Sequence, residues 1–356
     1  MKSARLALLT MVFSACAVGI EPPEVTDSVL IDDGLTYTFG TTVPCREGVS
    51  VECQVGESIP LAYPTVTLKL EAFRFDVHEV TNLQYQYCVA MGDCAAPKFG
   101  NTQNILDYYG DETYANSPVV NVSFKQAKAY CEFVGKRLPT EYEWERVAKG
   151  PDSDDARIYP SDGFDSTSDT CGELQISGCS GLDEGNPIDV MTSSNDFVED
   201  TNGKVWDLLG NVTEWTSSYY EGGTTGDFGQ QLNWVTCDGS LPADCNCLNC
   251  KPSPDQAFCL TNCGNCAECA DNTCFQLCEG ISGLGNFPVC IPYEGEQVPA
   301  DIWASSGSQV LSRGGNYSTK KGLSCGLRSA DRTFVRSVAD DGTSPVVGFR
   351  CAQNAE

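Results

Sequence analysis

Apolar residues recur at helical spacing in one stretch of the chain, and two more stretches carry helix signals. Phe124, Ala127, Tyr130, Cys131 and Val134 fall on one face of a helix. Ser123 and Gln126 stand at its start as a capping box, each able to satisfy a backbone donor that the first turn leaves orphaned, and Gly135 is a fitting stop. A second box, Thr140 with Glu143, directly follows Pro139 and predicts a helix running to about Lys149, ended by Gly150. A third helix, from about Asn82 to Met91, follows the segment EVTN and carries Tyr85 and Cys88. Elsewhere the pattern is strand-like, over Leu35 to Phe39, Thr65 to Leu70 and Ala72 to Val77. Thr65 to Leu70 alternates as a half-buried strand does. The remainder reads as short strands and loops.

Composition agrees. With 34 Gly and 18 Pro in 356 residues and 41% hydrophobic content, the chain can bury a core but spends much of its length in irregular backbone. The expected class is α+β with little regular secondary structure. A formal net charge of −27 excludes nucleic acid as a partner, because phosphate binding needs clustered Lys and Arg. The charge suits solubility outside the cell and makes calcium a natural counter-ion. A solvated acidic surface with no partner is the plain alternative.

The N-terminus reads as an export signal over residues 1–15. Lys2 and Arg5 form a positive start, Leu6 to Phe13 are almost wholly apolar, and Ser14 and Ala15 are small and precede Cys16. The apolar run is too short to span a bilayer. Small residues directly before a cysteine resemble a bacterial lipobox, in which Cys16 is acylated and anchors the protein to a membrane of the cell envelope, facing out of the cytoplasm. Phe13 departs from the usual Leu, and ordinary cleavage nearby is the alternative. Residues 16–33 are acidic, contain Pro22 and Pro23 and lack periodicity, so they are expected to be a tether.

The chain has 21 cysteines, and setting Cys16 aside leaves an even 20. In an exported chain that is a disulfide framework. Local pairs are plausible for Cys45 with Cys53, Cys88 with Cys94, and Cys171 with Cys179.

Five strings then occur in order: EVTNLQY (Glu79 to Tyr85), SPVVNVSFKQAKAYCEFVGKRLPTEYEWERVAKG (Ser117 to Gly150), DLLGNVTEW (Asp207 to Trp215), RGGNY (Arg313 to Tyr317) and GFRCA (Gly348 to Ala352). Together they resemble the formylglycine-generating-enzyme, or sulfatase-modifying-factor, family across residues 34–356, with 221–300 as a cysteine-rich insertion. The resemblance implies one domain of C-type-lectin-like fold with its N- and C-terminal portions held together. It also implies a disulfide between Cys131 and Cys351.

In KRLPTEYEWE, Arg137, Glu141 and Glu143 crowd charges beside Trp144, which reads as a structural ion-pair network before it reads as acid–base machinery. DLLGNVTEW mixes carboxylates and backbone carbonyls around a tight turn, as a calcium loop does. The resemblance implies the ligands: the side chains of Asp207 and Glu214 and the carbonyls of Gly210 and Val212. The alternative is a turn packed by Trp215 with no ion. The family's oxidases hold copper(I) between two thiolates, a soft two-coordinate site. Aligned through RGGNY and Arg332, those positions are Thr319 and Ser324, and Cys325 is the nearest thiol, one residue away. Thr213 stands where active oxidases carry a Trp. Copper is therefore not expected, unless a loop shift recruits Cys325 and a second cysteine.

Other enzyme classes fare worse. The chain has one histidine, His78, so neither a His-rich iron site nor a convincing Ser-His-Asp triad can be assembled. The insertion holds eleven cysteines between Cys237 and Cys290. Cys263, Cys266, Cys269 and Cys274 faintly resemble an iron–sulfur spacing, and a zinc knot is conceivable, but export favours disulfides. Eleven is odd, so one of them is expected to pair with the main domain, with Cys325 a candidate. Two readings follow. One is a non-catalytic, surface-displayed binding or structural module open to a protein or glycan ligand. The other is a formylglycine-generating oxidase, acting on a sulfatase cysteine, with a relocated thiol pair.

Overall fold

The computed structural model describes residues 22–40, 66–151, 159–161, 174–177, 185–220, 232–236, 274–279, 289–292, 309–319, 329, 332–337 and 342–355. Cys16, Cys45, Cys53, Cys171, Cys179, Ser324 and Cys325 lie outside them.

The three helices form where local chemistry nucleates them. Helix α1 spans Asn82–Met91 and is capped by Thr81, whose side chain accepts from the Gln84 N–H while the Gln84 side chain accepts from the Thr81 N–H. Helix α2, Phe124–Phe133, and helix α3, Glu141–Lys149, open on the Ser123/Gln126 and Thr140/Glu143 boxes that their sequences predict. Gly92, Gly135 and Gly150 close the three with positive φ.

The strands are short and belong to separate sheets. β1 (Ser28–Ile31) and β14 (Ala352–Asn354) flank β4 (Phe73–Asp76), all antiparallel. β2 (Thr36–Phe39) pairs with β3 (Val66–Lys69), and β5 (Phe197–Asp200) with β6 (Gly203–Trp206). The largest sheet runs β12–β11–β7–β13, with β7 at Thr213–Tyr220, β11 at Gln309–Arg313, β12 at Arg332–Ser337 and β13 at Val347–Gly348. Within 221–300, β8 (Leu232–Thr236), β9 (Cys274–Glu279) and β10 (Val289–Pro292) form an antiparallel sheet of their own.

One expectation changes. The last residues of the segment read as a tether are part of the domain: β1 pairs residue by residue with β4, and Val29 and Ile31 are buried. Just upstream, the Gln84 side chain donates to the Glu24 carbonyl and the Lys136 ammonium to the Thr26 carbonyl. SVLI alternates over too few residues, among too many acids, to signal a strand unless its partner is known.

Among the described residues two large apolar clusters hold the elements, beside a small one of Leu174, Ile176 and Leu209. One joins Val29, Ile31, Tyr37, Phe39, Phe73 and Phe75 to Trp144 and Val147 of α3. The other packs Tyr85, Tyr130 and Cys131 of α1 and α2 against Val119, Trp215, Val347 and Phe349. Two disulfides lie within the second. Cys131–Cys351 ties α2 to the residue before β14, across 220 residues, and Cys88–Cys94 fixes the end of α1.

Candidate functional site

RGGNY lies against DLLGNVTEW. Backbone bonds from Gly315 N to the Leu209 carbonyl (3.1 Å) and from Tyr317 N to the Asn211 carbonyl (2.9 Å) join the two loops. Gly314 has φ +82, and a Cβ there would meet the Leu208 carbonyl and the Trp144 ring at 3.1 Å each. The two loops approach closely because this position has no side chain.

At their junction the side chains are hydroxyls and an amide. The Thr213 hydroxyl lies 3.1 and 3.2 Å from the carbonyls of Gly314 and Gly315, and accepts from Asn316 Nδ2 at 3.0 Å. Asn316 Oδ1 accepts from the Ser318 N–H, and the Asn316 N–H donates to the Thr319 hydroxyl at 3.0 Å. The Thr319 backbone N–H donates to the Asn316 carbonyl, and the Thr319 carbonyl accepts from Ser177 N. Thr213 is fully buried and Thr319 half-buried. Thr319 is thus one corner of a compact turn closed by its own hydrogen bonds. These groups can orient a polar partner, and they are poor ligands for a soft metal.

Behind this junction lies a buried ionic layer. Arg350 donates from Nε and Nη2 to the two oxygens of Glu214 at 2.8 and 2.6 Å, and Trp144 Nε1 donates to the same carboxylate at 2.9 Å. Arg350 Nη1 reaches the Asp76 carbonyl, and Nη2 also reaches those of Trp206 and Asp207. Asp196 receives the N–H groups of Leu209 and Gly210 at 2.9 and 2.8 Å. Asp207 has φ +58; its Oδ2 accepts from Met191 N at 2.7 Å, while its Oδ1 has no hydrogen-bond partner. Glu79 is fully buried and neither of its carboxylate oxygens has a hydrogen-bond partner. Burial pushes these acids up. Asp207 rises to about 8, with Asp196's charge adding to desolvation. Asp196 rises only to about 6, because backbone N–H groups support its ionised form. Glu79 is held well above its ordinary value by burial and then by the charge of Asp207. Burial also raises Glu214, against the pull of Arg350.

The expected calcium ligands meet this layer unequally. Asp207 offers an unpartnered buried oxygen, which fits a hard cation. Glu214 has both oxygens committed to Arg350 and Trp144. Gly210 packs tightly: a Cβ there would sit 2.6 Å from the Gln175 carbonyl. Val212 is buried in the second apolar cluster. Among the described residues no three His, Cys, Asp or Glu side chains gather as metal ligands, so an ion here would complete its shell with backbone carbonyls and water.

The charges of KRLPTEYEWE are structural. Arg137 forks onto Glu143 at 2.6 and 2.8 Å, and Glu143 also accepts from Thr140 N. Arg313 pairs with Glu141 and Glu145 at 2.9 and 3.0 Å, Lys149 with Glu145 at 3.1 Å, and Arg146 with Asp200 at 3.0 Å. Every residue of α3 is buried, polar ones included, so these pairs compensate charges taken out of water. Sequence reasoning missed Glu145, Arg146, Lys149 and their partners. The i,i+4 spacing of Glu145 and Lys149 was the one local signal. His78 is buried with Nδ1 2.6 Å from the Glu79 carbonyl, and burial lowers its pKa. It serves as a hydrogen-bonded structural residue.

Short strands, three capped helices, termini joined in one sheet and the paired RGGNY and DLLGNVTEW loops define a protein with the fold of formylglycine-generating enzymes. The chain matches the family described as "Sulfatase-modifying factor enzyme 1-like domain" over residues 18–355 and belongs to that family. It is 35% identical over 109 residues to "Inactive C-alpha-formylglycine-generating enzyme 2" of Bos taurus, covering 29% of this chain and 34% of that protein. It is 30% identical over 211 residues to "Serine/threonine-protein kinase pkn1" of Chlamydia pneumoniae, covering 56% of this chain and 28% of that one. The matched stretches thus span about a third of these relatives' length. The solved structure of PvdO from Pseudomonas aeruginosa superposes with a TM-score of 0.52 at 17% identity, over 92% of this chain and 94% of that one, a likeness of fold.

Proposed function

We propose that the protein is an exported, lipid-anchored member of the family that acts as a non-catalytic binding or structural module on the extracytoplasmic side of a membrane, with a protein or glycan ligand. The observation that carries this is the Thr213–Asn316–Thr319 network, in which hydroxyls and an amide satisfy one another at the first of the two positions where the oxidases need thiolates. Ser324 at the second position and the similarity to relatives named as inactive formylglycine-generating enzymes support the same reading. The N-terminal pattern Ser14, Ala15, Cys16 supports the anchor.

The test is an oxidation assay with copper(I), oxygen and a sulfatase-derived cysteine peptide. No formylglycine above background is the expected result, and turnover would establish the oxidase instead. Mass spectrometry of the mature N-terminus reads the anchor separately: a diacylglyceryl-modified Cys16, lost in Cys16→Ala, is expected.

A calcium ion at the DLLGNVTEW segment is proposed as well. The unpartnered Asp207 oxygen, within a layer whose acids outnumber Arg350, is the observation that favours it.

A further inference from the structure

The geometry points to Glu79 as the second carboxylate of that calcium site, standing in for Glu214. This rests on the calcium proposal above and assigns a residue to it.

The buried layer contains four acids, and two are fully satisfied. Asp196 takes two backbone N–H donors, and Glu214 takes Arg350 and Trp144. Arg350's charge is thereby matched by one carboxylate. Among the described residues neither Glu79 nor Asp207 forms an ion pair, though Arg350's charge reaches both, and between them they leave three oxygens without a hydrogen bond: Oε1 and Oε2 of Glu79 and Oδ1 of Asp207. Both residues are at most 1% exposed. Ionised carboxylates at such depth are costly, so each is neutralised by a proton or by a bound cation, and a divalent cation able to use all three oxygens would displace the protons.

Backbone pairing places the two acids together. Trp206 N donates to the Val77 carbonyl, and Val80 N donates to the Phe349 carbonyl. The segment that carries Glu79 is therefore bonded on one side to the residue before Asp207 and on the other to the residue before Arg350. Burial first, and then the charge of Asp207, raises the Glu79 carboxyl, against the pull of Arg350. Two carboxylates and one divalent cation balance in charge. Calcium takes six to eight oxygens, so Glu79, Asp207, the loop carbonyls and water suffice as ligands. Glu214 is better placed where it is, because releasing it would leave Arg350 buried without its partner.

The experiment is calorimetric titration of calcium into the chelator-stripped full chain, with thermal melts in parallel. One site is expected in the wild type, together with a calcium-dependent rise in melting temperature. Glu79→Gln is expected to weaken binding roughly tenfold or more, since loss even of a residue that merely supports a ligand costs about that. Without calcium it should melt no lower than the wild type, because the amide is uncharged and replaces a carboxyl that makes no hydrogen bond. If Glu79→Gln binds as tightly as the wild type while Asp207→Asn does not, the assignment of Glu79 fails and the calcium reading stands. If the wild type binds no calcium, both fall.

Discussion

Gly314 shows how much a single atom decides at the loop junction. Its φ of +82 strains any residue with a side chain, and an added Cβ would sit 3.1 Å from the Leu208 carbonyl and the Trp144 ring, tight enough that they must give way by a few tenths of an ångström. Gly314→Ala should cost about 1–3 kcal/mol from the strained φ alone, read as a lower denaturation midpoint with an unchanged m value. Asp76 carries a pH dependence. Its carboxyl accepts from Lys136 and from Cys351 N, yet burial outweighs both and lifts it from 3.8 to about 7. The folded state therefore holds a proton that the unfolded state releases. The stabilisation from this group is complete below pH 3.8, falls as pH rises, and is gone above about 7. Asp76→Asn should flatten the decline of melting temperature between those limits. The other residues of the site were unevenly readable. Thr213 and Asp207 stand in a recognisable string and Thr319 two residues past another, whereas the lack of partners at Glu79 and Arg350's hold on Glu214 depend on neighbours far away in sequence.

Among the elements, the helices were the most legible. Thr81, Ser123 and Thr140 each cap within three residues, so every partner needed is in the same short string. β1 was not legible, because its partner β4 lies some forty residues away and only the pairing gives four residues a reason to be extended. The disulfides sort in the same way. Cys88 and Cys94 are close in sequence, while Cys131 and Cys351 are 220 residues apart and were implied only by the family resemblance. The chain-entropy argument predicts the larger loss on removing the long-range bond. Cys131→Ala with Cys351→Ala should cost about 2–5 kcal/mol, and the Cys88, Cys94 pair less, in parallel thermal melts.

At the scale of the whole molecule, the two ends of the domain meet on β4. β1 lies along one edge and β14 along the other, and Lys136 links Thr26 to Asp76 beside them. A chain beginning at residue 22 keeps these contacts, and one beginning at residue 34 loses β1 and its buried Val29 and Ile31. The longer chain should melt close to the full chain. The shorter one should lose several kcal/mol, since each fully buried aliphatic side chain contributes about 1.5–3 kcal/mol. Equal melting of the two would mean that β1 adds nothing.

What the sequence determined by itself is local or literal: capped helices, turn glycines, an acidic net charge, and the family strings in their order. These follow from residue identity and from interactions a few positions long. Only the tertiary structure decided which charges meet. It gave Glu214 to Arg350, left oxygens of Glu79 and Asp207 without a hydrogen-bond partner among the described residues, and drew the supposed tether into a sheet. In each case the energy depends on burial and on partners that the chain brings together only when folded.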